Sequence, residues 1–258
     1  MKRRKNSIQF LQAVLFLVCI ASAGAILKEM VIEPEQNRQM AQQLKEEFPE
    51  GTSPGDSSSE GESKQAGEES RILPLDFLAM QEKYPDIQGW LTIPGTNIDY
   101  PVLQSSEDDQ EYYLKHNYRG EWDANGSLFL QWNCEVPKSQ NLVIYGHNMN
   151  SGAMFGNLDK FADEDYWSEH KSVFFQTASG ISEYEIVSVM KADLSIFPFQ
   201  QMEFAGAGSL KAYVEQAKSC GLFEIRESCG TLAHVLTLVT CSYEWEDARN
   251  VVVSVQKG

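Results

Sequence analysis

The chain has 258 residues, with 37 acidic against 21 basic side chains and a formal net charge of −16. Its 42% hydrophobic and 11% aromatic content is enough for a packed core, which excludes wholesale disorder. The acidic balance argues against nucleic acid as a partner, because a phosphate backbone demands clustered Lys and Arg, and against broad adhesion to anionic lipid. The charge is unevenly spread: residues 1–70 hold 8 basic and 11 acidic groups, and residues 71–258 hold 13 and 26.

Lys2, Arg3, Arg4 and Lys5 form a basic end over residues 1–7, followed by a mostly apolar run, Ile8 to Leu27. Twenty residues at about 1.5 Å each span roughly 30 Å, one hydrocarbon core. Residues 8–27 are therefore expected to be a single-pass membrane anchor. The basic end stays cytoplasmic and the bulk of the chain lies outside the cell membrane. A cleaved signal peptide is the competing reading, since Ala21-Ser22-Ala23 fits a small-x-small cleavage site. Residues 28–71 read as an extracellular flexible tether, with a short polar helix over 28–48. The Gly51–Lys64 stretch has no large apolar residue to offset the entropy of ordering.

The folded domain is expected over 72–258. Leu75 to Lys83 has helical spacing, and Trp90 to Leu103 reads as two short strands around a Pro-Gly turn. Further strands are predicted at Ser127–Trp132, Leu142–Tyr145, Val173–Thr177, Glu183–Met190, His234–Thr240 and Val251–Val255, with a helix at Leu210–Ala217 between late strands. Many short strands with turn signals point to an all-β barrel or sandwich.

The chemistry-bearing residues are few. Of the cysteines, Cys19 lies in the apolar run, and Cys220 and Cys229 flank a loop that a disulfide would bridge. With no CxxC and no His-x-x-x-His spacing, no metal site is expected. Cys241 ends a strand beside a loop, a setting that holds a thiol rigidly yet accessibly. The bland alternative is an inert buried thiol. A nucleophilic thiolate needs a basic or cationic neighbour. His116 and His170 lie in polar stretches, and six residues separate His234 from Cys241 along a strand, which puts it out of reach. His147 follows the strand ending at Tyr145. Arg249 lies eight positions after Cys241, and a hairpin would return it close to the thiol; otherwise it is a surface Arg paired with Glu246 or Asp247.

Tyr145-Gly-His147-Asn-Met149 followed by Met154-Phe-Gly-Asn-Leu158, and Thr237-Leu-Val-Thr-Cys241 with seven residues before Arg249, resemble the sortases, and class B sortases most closely. The resemblance covers roughly residues 72–258. It implies a closed β-barrel of about eight strands with N-terminal helices and a helix inserted between late strands. It implies a cysteine transpeptidase of Gram-positive bacteria, with Cys241 as nucleophile, His147 as general acid and base, and Arg249 holding the substrate carbonyl or oxyanion. Leu103, Asn148, Val239 and Thr240 would line the substrate groove. The implied partners are secreted proteins bearing a sorting motif and an amine acceptor, a peptidoglycan precursor or pilin; no cofactor is implied. Ser242 departs from the acidic residue that many class B members carry there. The rival classes are a membrane-anchored thiol endopeptidase and a non-enzymatic tethered binding module. A papain-like protease places its nucleophile before its histidine, the reverse of this order.

Overall fold

A computed structural model describes residues 2–49, 72, 74–136, 138–226, 233–242 and 244–257. Helix α1, Lys2–Leu27, passes through a π-helical turn, Lys28–Ile32, into helix α2, Glu33–Glu47. From Val14 to Leu27 the large apolar side chains of α1 are exposed, and its most apolar window is not buried against any of the described residues. By length and composition this helix can cross a membrane.

The expected tether over 28–71 needs correction in its first half. In α2 and its C-cap, Asn37, Ala41, Leu44 and Phe48 recur at helical spacing, and all four are buried. Lys45 reaches the Asp99 carboxylate at 2.6 Å and lies over the Trp90 ring, Lys83 pairs with Glu47, and Pro49 forms a β-bridge to Leu75. The folded body thus begins at α2 and not near Ile72. The helix is polar on average, so its composition concealed a narrow apolar stripe. The Gly51–Lys64 stretch lies outside the described residues. Leu44 is fully buried, so Leu44→Ala is expected to destabilise the domain by about 2–5 kcal/mol. Chemical denaturation of the full-length protein checks this, and an unchanged midpoint would show that α2 is not part of the cooperative unit.

After α3, Phe77–Lys83, capped by the Asp76 carboxylate on the Ala79 N–H, eight strands follow. They are β1 Ile87–Thr92, β2 Asp99–Gln104, β3 Leu128–Leu130, β4 Asn141–Tyr145, β5 Ser172–Thr177, β6 Gly180–Ala192, β7 Val235–Cys241 and β8 Arg249–Gln256. They close into a barrel in the order β1-β2-β3-β4-β7-β8-β6-β5, with β5 pairing back onto β1. That closure decides for a barrel over a sandwich and leaves no free sheet edge. The pairs β2–β3 and β4–β7 are parallel and the rest antiparallel. A short helix, α4, Glu164–Glu169, precedes β5. Helix α5, Ala207–Ser219, is the one inserted between late strands, and it buries Leu210, Tyr213, Val214 and Ala217 on one stripe.

The register of β4 against β7 is pinned by a buried polar cluster. Thr237 Oγ1 donates to Asn141 Oδ1 at 2.8 Å, and Asn141 Nδ2 donates to Tyr213 Oη at 3.1 Å and to the Gln201 carbonyl at 2.9 Å. A one-step slip would leave these buried groups unpaired at about 1–3 kcal/mol each. This register in turn positions the site.

Candidate active site

Strands β4, β7 and β8 lie side by side and end at one rim of the barrel. In the parallel β4–β7 ladder Tyr145 is opposite Val239, and in the antiparallel β7–β8 ladder Cys241 is opposite Arg249. Beyond Tyr145 the pairing persists: Gly146 N–H donates to the Val239 carbonyl at 3.2 Å, and Thr240 Oγ1 donates to the Gly146 carbonyl at 2.7 Å. The residues on either side of His147 are thus both tied to the end of β7, Gly146 to Val239 and Thr240, and Asn148 through its side chain to the Cys241 carbonyl. His147, Cys241 and Arg249 therefore form a row across three adjacent segments. Along β7 every residue is buried until Cys241, where exposure begins.

The imidazole of His147 is half-buried, and its Nε2 lies 2.7 Å from the Leu114 carbonyl. A carbonyl only accepts, so Nε2 carries a proton and Nδ1 is the nitrogen left to exchange one. Two glycines make this placement possible. A Cβ at Gly146 would meet Leu128 and Phe155 side chains at 2.4 and 2.8 Å. A Cβ at Gly126, whose φ is +59°, would lie 2.5 Å from the Leu114 carbonyl oxygen itself.

The nucleophile's backbone is held from two sides. Asn148 Nδ2 donates to the Cys241 carbonyl at 2.9 Å, and Asn250 Nδ2 reaches the same oxygen at 3.4 Å. Arg249 is partly exposed, its Nη1 donates to the Ala248 carbonyl at 2.9 Å, and its Nη2 is 4.0 Å from Asp247. At 4.0 Å on a solvent-facing carboxylate that pair is weak, and the guanidinium keeps donors for a ligand. Glu244 and Trp245, just before β8, are tied to β6 and the loop after it by the Lys191–Glu244 ion pair and by Trp245 Nε1 donating to Asp193 at 3.0 Å.

The other sequence-selected residues sort by burial. Leu103 and Val239 are fully buried, and Thr240 is 2% exposed with its hydroxyl spent on Gly146. Val239 and Thr240 lie on β7 just before the nucleophile, whereas Leu103 lies on β2, which pairs with β1 and β3. Asn148 is at the site, as a donor to the nucleophile's own carbonyl. His116 stacks on Tyr112 and bonds its carbonyl; His170 does the same with Tyr166; His234 lies against the Ser139 carbonyl. These three histidines serve local structure. Cys220 is a free thiol, and Cys229, its suggested partner, lies outside the described residues. No group of three or more His, Cys, Asp or Glu among the described residues is placed to hold a metal.

Sequence reasoning missed Asn250 and the Leu114 carbonyl. The signal for Asn250 was its place next to Arg249 on a strand paired to the nucleophile's. A backbone carbonyl leaves no mark in a sequence. Burial separates the thiols: Cys134, 2% exposed, is pushed up to about 11 by desolvation, whereas Cys241 is exposed. At pH 8 iodoacetamide is expected to alkylate Cys241 and leave Cys134 untouched in the folded protein, because only a thiolate reacts. Peptide mapping of the labelled protein checks this, and modification of Cys134 at a rate comparable to Cys241 would contradict it.

With that geometry in view, comparisons with known proteins agree. The sortase domain family matches residues 91–257. Sortase B of Listeria monocytogenes is 34% identical over 177 residues, covering 67% of this chain and 70% of that protein. Sortase B of Staphylococcus aureus is 22% identical over 256 residues, covering 99% and 98%. Among solved structures, sortase B from B. anthracis in complex with AAEK1 superposes with a TM-score of 0.67 at 26% identity, over 87% of this chain and 98% of that one. The chain belongs to the sortase family of cysteine transpeptidases. Within that family it falls in class B, the class of all three of these relatives.

Proposed function

We propose that this chain is a membrane-anchored sortase that cleaves a short sorting motif in a secreted protein and transfers the acyl fragment to an amine of a peptidoglycan precursor or a pilin. The observation that carries this reading is the single row of His147, Cys241 and Arg249 at the open rim of the barrel. Cys241 Sγ gives its proton to His147 Nδ1 and attacks the motif's backbone carbonyl. The imidazolium then protonates the departing amine as the C–N bond breaks, leaving a thioacyl-enzyme. The acceptor amine attacks that thioester, its proton passes to His147, and Cys241 leaves. Splitting amide exchange into two acyl transfers is the usual gain of covalent catalysis. The acid–base steps are worth about 10² to 10⁴ in rate, and Arg249, aimed at the developing oxyanion, on the order of 10² or more.

Helix α1 supports a cell-membrane location, and the basic cluster at residues 2–5 supports a cytoplasmic N-terminus with the catalytic domain outside. In this arrangement α2 docks the barrel directly beside the anchor. A peptide-library assay read by mass spectrometry, with and without a primary amine, tests the whole reading. A transpeptidase gives a product extended by the amine. A thiol endopeptidase gives hydrolysis alone, and a binding module gives no turnover; either result would replace this function.

A further inference from the structure

One residue past each member of the catalytic row, the chain lines a second feature. Asn148, Ser242 and Asn250, with Asp159, Lys191 and Glu244, enclose an open cleft of about 350 Å³. Asn148 and Asn250 each give one Nδ2 N–H to the Cys241 carbonyl, which fixes their amides while their Oδ1 atoms stay available as acceptors. Ser242 is 8% exposed, and its Oγ is buried with no hydrogen-bond partner. Lys191 and Glu244 pair with each other, so Asp159 supplies the cleft's uncompensated charge, which is negative. A cleft with one net negative charge and acceptor oxygens on two fixed amides and a hydroxyl suits a cation that carries several N–H donors.

We infer that this cleft is the subsite for the acceptor's ammonium group. The inference rests on the proposed transpeptidase function and adds to it where the second substrate waits. The ammonium is held by the Ser242 hydroxyl, the asparagine Oδ1 atoms and Asp159, and releases one proton to bulk water before it attacks. The neutral amine then forms a C–N bond to the thioester carbonyl while the C–S bond breaks. Cys241 departs as thiolate, and the second proton goes to His147. Ser242 stands one peptide bond from the thioester, so the cleft opens beside the acyl group and not at the far end of the donor motif. The hydroxyl at position 242 keeps this wall neutral, so that Asp159 alone provides the charge.

The test uses the full-length protein in detergent, a donor peptide from the library assay, and two acceptors: Nα-acetyl-lysine methylamide, a cation, and hydroxylamine, uncharged at pH 7.5. Ser242→Ala loses no hydrogen bond of the protein itself, which keeps the variant folded. It is expected to raise KM for the lysine amide about tenfold, the usual weight of a hydrogen bond to a charged group. Asp159→Asn is expected to raise it about threefold, as a solvent-exposed charge pair would, and to leave KM for hydroxylamine unmoved. Both lower the ratio of transpeptidation to hydrolysis for the cationic acceptor. Normal thioacyl-enzyme formation with unchanged acceptor KM in both variants overturns the cleft's role alone, as does an equal effect of Asp159→Asn on both acceptors. Absence of any thioacyl species in the unmodified protein overturns the proposed function, and the subsite with it.

Discussion

Cys241→Ala is expected to abolish cleavage and transpeptidation together, a loss on the order of 10⁴-fold or more, since the acyl-enzyme has no other atom to form on. The loss would be chemical and not structural. Cys241 is exposed at the end of β7, its carbonyl keeps both asparagine donors, and its backbone pairing with Arg249 involves no side chain. A substitution at such a surface position typically shifts stability by less than about 0.5 kcal/mol. Thermal unfolding of the variant is therefore expected to match the unmodified protein while mass spectrometry detects no thioacyl adduct. Retained turnover in a folded Cys241→Ala variant would remove the basis for calling Cys241 the nucleophile. Cys134 offers no substitute, because it is sealed in the core and held protonated by burial.

His147→Gln is expected to cost about 10² to 10⁴ in the rate of peptide cleavage. Glutamine presents an N–H that can still meet the Leu114 carbonyl, where His147 Nε2 now bonds at 2.7 Å, but it cannot carry a proton between sulfur and nitrogen. The substrate's leaving group supplies a second reading. An amine must be protonated to depart, whereas an alkoxide-type leaving group with an electron-withdrawing substituent departs unaided. The variant's deficit is therefore expected to shrink with an activated ester of the same donor sequence. A deficit of equal size on amide and ester would point to misplacement of Cys241 and not to lost proton transfer. Activity equal to the unmodified protein would remove His147 from the mechanism.

How far these residues could be read in advance depends on how local their placement is. The Cys241–Arg249 proximity was legible because a hairpin between consecutive antiparallel strands returns the chain on itself within eight residues. The eight strands were legible for the same reason: alternation and turn residues act within a few positions. Helix α2 was hidden because a stripe of four buried residues in a polar helix barely alters its composition. The orientation of Leu103, Val239 and Thr240 was not legible, because a strand covered on both faces has no polar side to betray it.

The sequence by itself determined the apolar N-terminal helix after a basic cluster, the acidic balance of the rest, the strand succession, and the motifs that mark a sortase. Only the tertiary structure decided that the barrel closes, that α2 belongs to it, and that His147 stands beside Cys241. The last of these joins residues 94 positions apart through a parallel pairing of β4 and β7. No hairpin sets such a register. It depends on long-range contacts such as the buried Asn141–Thr237 hydrogen bond, whose partners meet only when the chain has folded.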